Sequence, residues 1–449
     1  MTDTVRSTQV VATRRAGDGV RADLAMLAVQ AVLVGCAVIV GAYLNHRRVP
    51  IHADAAPLFA TWLPHVGPGT PLALAIAVLV VYRGPAWAAR LSWRRLLIGG
   101  YLMALAWTLS LALIDGWSRG LATRLTPQGE YLYDLPKVTS IPAMLAGFTS
   151  HIIDFRPLSW ATHVAGHPPG AFLVFVVLDR TGLHGGGPAA LLCVLVGAAA
   201  PVAVAVTLRA LRDEPAARGA LPFLVLFPGA VWVGASADGL FTGVLATGLA
   251  LLAIGGWRPA LAGGLLLGFS LYLSYGLVLA GPLALVVIAL KPRARGATAV
   301  AGTSGVATVV VAFTAAGFWW PTGYHLVVAR YYQGWAADRP YSYWVWANLA
   351  CLVLSAGPAI LPALRRAVSG IHVADRRSPA LWLPTLALLA IVAADLSGLS
   401  KAEVERIWLP YEIWLIPATA WLAPTHRRGW LAVQALTALA VNHLLLTNW

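Results

Sequence analysis

The sequence predicts an all-α, polytopic transmembrane helical bundle, and three observations carry that expectation. The 449 residues are 59% hydrophobic and only 11% charged, about half the charged share of an average soluble domain. Apolar windows recur at about twenty residues, the length a helix needs to cross the hydrocarbon core. Between them, basic residues fall in short clusters, as expected of loops on one side of a membrane. No polar stretch is long enough for a separate soluble domain. The chain therefore divides into a basic tail over 1–22 and a single membrane domain over 23–449.

The tail carries Arg6, Arg14, Arg15 and Arg21. It is expected to be a disordered cytoplasmic anchor rather than a cleavable leader, because the apolar run at 24–44 is long enough to span and no small-residue cleavage site follows. Runs at 71–82 and 96–117 come next, then a polar stretch over 118–168. Further apolar runs lie at 221–233, 239–254, 297–320, 343–364, 380–396, 407–423 and 431–446. A tight pair within 261–290 turns near Tyr272 to Tyr275. The expected total is about 11–14 membrane segments, with a long outer loop at 118–168. The stretch from His167 to Arg209 needs an odd number of crossings yet holds two runs, divided at 182–187. Either one of them is re-entrant or interfacial, or the basic cluster at 209–218 faces outward.

Clusters at Arg94-Arg95, 209–218, 291–295, Arg365-Arg366 with Arg376-Arg377, and Arg427-Arg428 mark the cytoplasmic side. The expected setting is the cytoplasmic membrane, crossed many times, with the N-terminus inside. A net charge of +14 divided in this way is topology, with a contribution from anionic lipid headgroups, and not a nucleic-acid stripe. Cys36, Cys193 and Cys351 all lie in apolar runs, so neither a disulfide framework nor a metal cluster is indicated. Four segments, 45–70, 118–167, 321–342 and 397–406, should converge on the outer side. They carry Arg330, Arg339, Lys401 and Arg406 against the usual charge rule, which points to anion binding.

The candidate chemistry lies in those outer segments. Glu130 and Asp134 are spaced to share one face if their segment is α-helical, with Tyr131 beside them. A carboxylate at a partly desolvated interface suits a general base taking a proton from an alcohol. Asp54, next to His52, is a similar candidate. His163 and His167 are also spaced for one helix face. However, Pro168-Pro169 ends a helix there and opens the next, placing His167 at a helix start where backbone N–H groups favour an anion. Arg330 and Tyr331 begin a run of cations and aromatics of the kind a sugar ring packs on. Lys401, Glu405 and Arg406 precede another apolar run, where a guanidinium can grip a phosphate.

The order of these features resembles the GT-C superfamily of integral-membrane glycosyltransferases. The features carried are the acidic, aromatic stretch Glu130-Tyr131 to Asp134, the His167-Pro168-Pro169 helix opening, the break from Pro228 to Ser236-Ala237-Asp238-Gly239, and the late Glu405-Arg406-Ile407-Trp408. The resemblance implies an enzyme that moves a hexosyl or pentosyl unit from a polyprenyl-phosphate donor to a glycolipid, glycan or protein acceptor on the outer face, with inversion. Catalytic residues would come from Glu130, Asp134 and Asp54. Tyr131, His163, His167, Arg330, Tyr331, Lys401, Glu405 and Arg406 would bind substrate. No metal ligand set and no required cofactor are implied, although a divalent cation is compatible. The acidic stretch follows the third apolar run here rather than the first, which leaves the base open among the three acids. Membrane crossings, intramembrane charges and Pro/Gly breaks also suit a transporter or lipid flippase of the cell envelope, but the two halves of the chain show no internal repeat.

Overall fold

A computed structural model describes residues 2–369 and 377–448, with side chains from Gly19 onward. The side chains of Arg6, Arg14 and Arg15, and the residue Arg376, lie outside the described residues. Among the described residues, regular structure is almost entirely helical, apart from one two-stranded antiparallel ribbon pairing Ala60–Trp62 with Leu445–Thr447. Through that ribbon the first interhelical segment is hydrogen-bonded to the C-terminal end of the chain.

Seven helices among the described residues are long and apolar enough to cross a membrane, or eight if one bent pair counts as a span. This is fewer than the 11–14 segments expected from the apolar runs. The difference has a local cause, since proline and glycine divide several runs into pieces too short to cross. The run at 261–290, for example, becomes the helix Trp257–Leu273, a 3₁₀ turn at Tyr275–Ala280 and the ten-residue helix Gly281–Leu290, with the break where expected. The bent pair, Tyr341–Ala356 and Ile360–Ser369, turns by 94° at Gly357. That residue has φ +97°, and a Cβ on it would meet the Gln434 side chain at about 2 Å.

The bundle has two poles. Thr70, at the start of the Thr70–Arg90 helix, lies by hydrogen bonds against Gly67 and His443. At its far end, Ala88 and Leu91 accept from Arg218. A helix of that length separates the poles by roughly 30 Å. Segments 45–70, 113–168, 318–341 and 397–408 contact one another at the first pole. Arg209, Arg218, Arg365, Arg366 and Arg427 gather with Asp23 and Glu214 at the second. The four predicted segments therefore do come together.

The uneven crossing between His167 and Arg209 is resolved by the twelve-residue helix Pro169–Arg180, about 18 Å long. It begins beside the Tyr131–His167 pair and ends with Arg180 donating to the Val138 carbonyl at 2.7 Å. Both ends stay against the 118–168 segment, so the helix does not cross. Gly186–Ala210 then makes the single passage to the basic pole.

The Ala237–Ile254 helix is the most deeply buried candidate span, packed against Gly186–Gly197, Ala200–Ala210 and Trp257–Leu273. Trp257–Leu273 in turn lies against Arg295–Ala315 by close backbone approach. A Cβ at Gly264 would sit 2.1 Å from the Gly302 carbonyl oxygen. Small residues at such a crossing let helices approach where lipid gives no hydrophobic drive. Gly264→Leu should therefore lower stability by about 3 kcal/mol or more, seen as a reduced thermal midpoint in detergent, whereas Gly296→Leu, where the space is open, should change it little.

Candidate active site

The stretch at 118–168 is not an open loop. It folds into short turns that lean on the bundle, including a 3₁₀ helix at Tyr131–Lys137 with Glu130 as its N-cap residue in extended conformation. With three residues per turn, positions 130 and 134 do not share a face, and the paired-carboxylate arrangement expected of an α-helix does not form. Asp134 is fully buried and accepts from the Ala161 backbone N–H at 2.5 Å, while Lys137 lies 2.7 Å from its other oxygen. It ties one part of the cap to another. Asp54 is exposed, beside Asn45.

Glu130 faces inward. It lines a narrow cavity shared with Arg124, Tyr131, His163, Ser236, Asp238 and Arg406. The members are delivered by several separate elements. Ser236 caps the Ala237–Ile254 helix through its Oγ, which accepts from Gly239 N–H, and this sets Asp238 in the first turn. Arg406 comes from the short helix Val404–Ile407, and His163 from Thr162–Gly166. Glu130 and Arg124 come from the cap.

Arg406 is the hub. Its guanidinium donates to Asp238 Oδ2 at 2.8 Å, to Glu403 Oε2 at 2.8 Å and to His163 Nε2 at 3.0 Å. Because Arg406 can only donate, the His163 Nε2 must carry a lone pair. The proton then sits on Nδ1, which points at the Gly129 carbonyl (2.9 Å) and at Glu130 Oε1 (3.1 Å). This ring is held neutral. Burial, together with the Arg406 and His167 charges, drops its pKa to about 3. Burial likewise pushes Glu130 up to about 8, with Arg406 pulling against it and Asp238 adding to it. Both shifts disfavour the charged forms, so the Glu130–His163 contact is not a strong ion pair. Burial also opposes charge on Arg406, but Asp238 and Glu403 hold it above the usual arginine range. Glu403 is kept below the usual carboxylate range: burial works the other way, and the Arg406 and Arg339 charges overcome it.

The remaining sequence candidates divide between the cavity wall and its surroundings. Tyr131 lines the cavity and is buried, its hydroxyl 2.9 Å from His167 Nδ1. His167 directly precedes Pro168-Pro169, which open the next helix as expected. Arg330 pairs with Asp154, and Tyr331 Oη accepts from Lys401 N–H at 2.8 Å. Lys401 Nζ donates to the Arg339 carbonyl at 3.0 Å, and Glu405 Oε1 accepts from Phe59 N–H at 2.9 Å. These four share the pole but do not line the cavity. Among the described residues, no three histidine, cysteine or acidic side chains are grouped to hold a metal ion.

Three polar cavity residues, Arg124, Ser236 and Asp238, were not singled out from sequence as site residues. Asp238 had an available signal, an acid at the start of an apolar run, which in a membrane calls for a partner. Arg124 had none. It is half-buried by the fold, reaching Asp115 and the Thr447 carbonyl while its Nε has no hydrogen-bond partner. No family model, curated protein or solved structure matches the chain.

Two substitutions separate scaffold from cavity. Asp134→Ala leaves the Ala161 N–H without its acceptor and should cost about 1–3 kcal/mol, measured as a lower unfolding midpoint. Arg406→Gln leaves Asp238 buried without its cation and should cost about 3–5 kcal/mol, with Arg406→Lys intermediate in the same assay.

Proposed function

We propose that this protein is a membrane glycosyltransferase that moves a sugar from a polyprenyl-phosphate donor to an acceptor hydroxyl, with Glu130 as the general base. The observation that carries this reading is the cavity itself, where a buried carboxyl of raised proton affinity sits beside two guanidiniums at one pole of an apolar bundle. Asp134 is committed to the cap and Asp54 lies outside the cavity. The base role therefore passes to Glu130 alone among the three acids.

In the reaction, the deprotonated Glu130 takes the proton of the acceptor hydroxyl as that oxygen attacks the anomeric carbon. The bond from that carbon to the donor phosphate oxygen breaks, its electron pair staying on the phosphate. Charge thus grows on the phosphate oxygens, and fixed cations in a water-poor site stabilise that growth strongly. Arg124 and Arg406 line the cavity. Arg124 has the less satisfied guanidinium, whereas Arg406 also orders Asp238 and His163. Neutral His163 lies against Glu130, its Nδ1 3.1 Å from Oε1. A single displacement of this kind inverts the anomeric configuration. The basic pole would lie on the cytoplasmic side by the positive-inside rule, putting the cavity on the outer face of the cytoplasmic membrane.

The test uses full-length protein in lipid nanodiscs with a panel of radiolabelled polyprenyl-phosphate hexoses and pentoses. Glu130→Gln should fold normally and lose transfer by about 10²–10⁴-fold, while Asp54→Asn should transfer like wild type. Retained transfer in Glu130→Gln would remove the base assignment, and no transfer by wild-type protein across the panel would remove the enzyme reading. The pH dependence has a definite sign. Glu130 holds its proton below about 8, so kcat/KM should rise with pH through that value and level off above it. Stability should move oppositely. A raised folded-state pKa favours the fold most below the ordinary glutamate range, and the benefit is lost as pH climbs through 8.

A further inference from the structure

The larger cavity lies at the other pole. It opens between the Thr70–Arg90, Glu214–Val225 and Arg427–Leu444 helices. Pro85, Ala89, Pro222, Phe223 and Leu431 give it an apolar wall, and two guanidiniums, Arg218 and Arg427, give it a cationic one. Its mouth is formed by Ala89 and Pro215, both exposed, while Leu431 at its inner side is fully buried.

The two arginines differ in how far they are satisfied. Arg218 donates to Glu214 at 2.8 Å and to the Ala88 and Leu91 carbonyls at 2.7 and 3.0 Å. Arg427 makes one hydrogen bond, from Nη2 to the Ala420 carbonyl at 3.2 Å, and its buried Nε has no partner. No carboxylate among the described residues pairs with it. Glu214, next to the lining residue Pro215, already bridges Arg209 and Arg218. Arg427 is also the first residue of an eighteen-residue helix, whose dipole adds to the attraction for an anion.

We propose that this cavity binds an anionic phospholipid, the headgroup phosphate on Arg427 with Arg218 beside it and one acyl chain along Pro85, Phe223 and Leu431. A guanidinium matches phosphate through parallel N–H donors. The apolar wall distinguishes a lipid from free phosphate, which would leave that wall uncovered. The location agrees, because this is the pole where basic clusters gather, and such clusters face the anionic leaflet. The site is independent of the Glu130 cavity and of any reaction assigned to it.

The experiment is native mass spectrometry of the full-length protein in detergent, titrated with phosphatidylglycerol, phosphatidylcholine or inorganic phosphate. Phosphatidylglycerol should be retained most strongly. Arg427→Gln should weaken its binding by about tenfold or more, the effect of one charge-assisted contact, and Arg427→Lys by less. Ala89→Trp should block the mouth and reduce binding without changing the unfolding midpoint, which keeps the test open if Arg427→Gln folds poorly. Equal retention of phosphatidylcholine would overturn the charge basis. Displacement by inorganic phosphate at concentrations matching the lipid would overturn the lipid assignment, and unchanged phosphatidylglycerol binding in Ala89→Trp would overturn the site.

Discussion

A single desolvated cation organises the candidate site. Arg406 is 5% exposed, and removing a guanidinium from water costs several kcal/mol unless partners replace its hydration. Asp238, Glu403 and His163 do so, and they arrive from three separate parts of the chain. Satisfying Arg406 therefore fixes where the Ala237–Ile254 helix begins, where the 403–406 turn lies and which way the His163 ring points. The proton positions follow from the same contacts. Arg406 fixes the His163 tautomer, and the burial that the cluster enforces keeps Glu130 neutral near pH 7.

Behind this hub lies a second buried cation that reinforces it. Arg339 donates to Glu403, to the Lys401 carbonyl and to the His52 carbonyl at 3.0, 2.9 and 3.2 Å. Its guanidinium sits between the Phe59, Trp335 and Trp344 rings, within about 6 Å of each centroid, close enough for cation–π attraction. His52 stacks on Trp335. Glu403 thus holds one arginine with each carboxylate oxygen, linking the cavity to three interhelical segments. Of the cations that break the usual charge rule, Arg339 and Lys401 are engaged within this network, while Arg330 pairs separately with Asp154.

The two poles present opposite electrostatic problems. At the Glu130 pole, acids and cations neutralise one another in a buried network. At the basic pole, cations outnumber the described acids, and Arg427 is left with donors to spare. Both arrangements are stable because the apolar bundle between them keeps the charges about 30 Å apart. Each pole is then free to meet a different chemistry.

Composition and patterning determined the all-α membrane class, the two-sided distribution of charge and the gathering of four segments at one pole, because these follow from the need to keep apolar surface and backbone polar groups out of water. They also placed Glu130, His163, Tyr131 and Arg406 among the candidates. What the tertiary structure decided was how each residue is used. Glu130 and Asp134 look equivalent in sequence, but a 3₁₀ turn sends one to the cavity and the other to a backbone N–H. Asp238 and Arg124 joined the candidate site only when the fold of the bundle and its cap brought them to Arg406 and Glu130. The number of long helices was likewise set by proline and glycine breaks interacting with neighbours, as at Gly357 against Gln434. Hydropathy reports how much a segment prefers lipid; only packing decides whether it runs straight through.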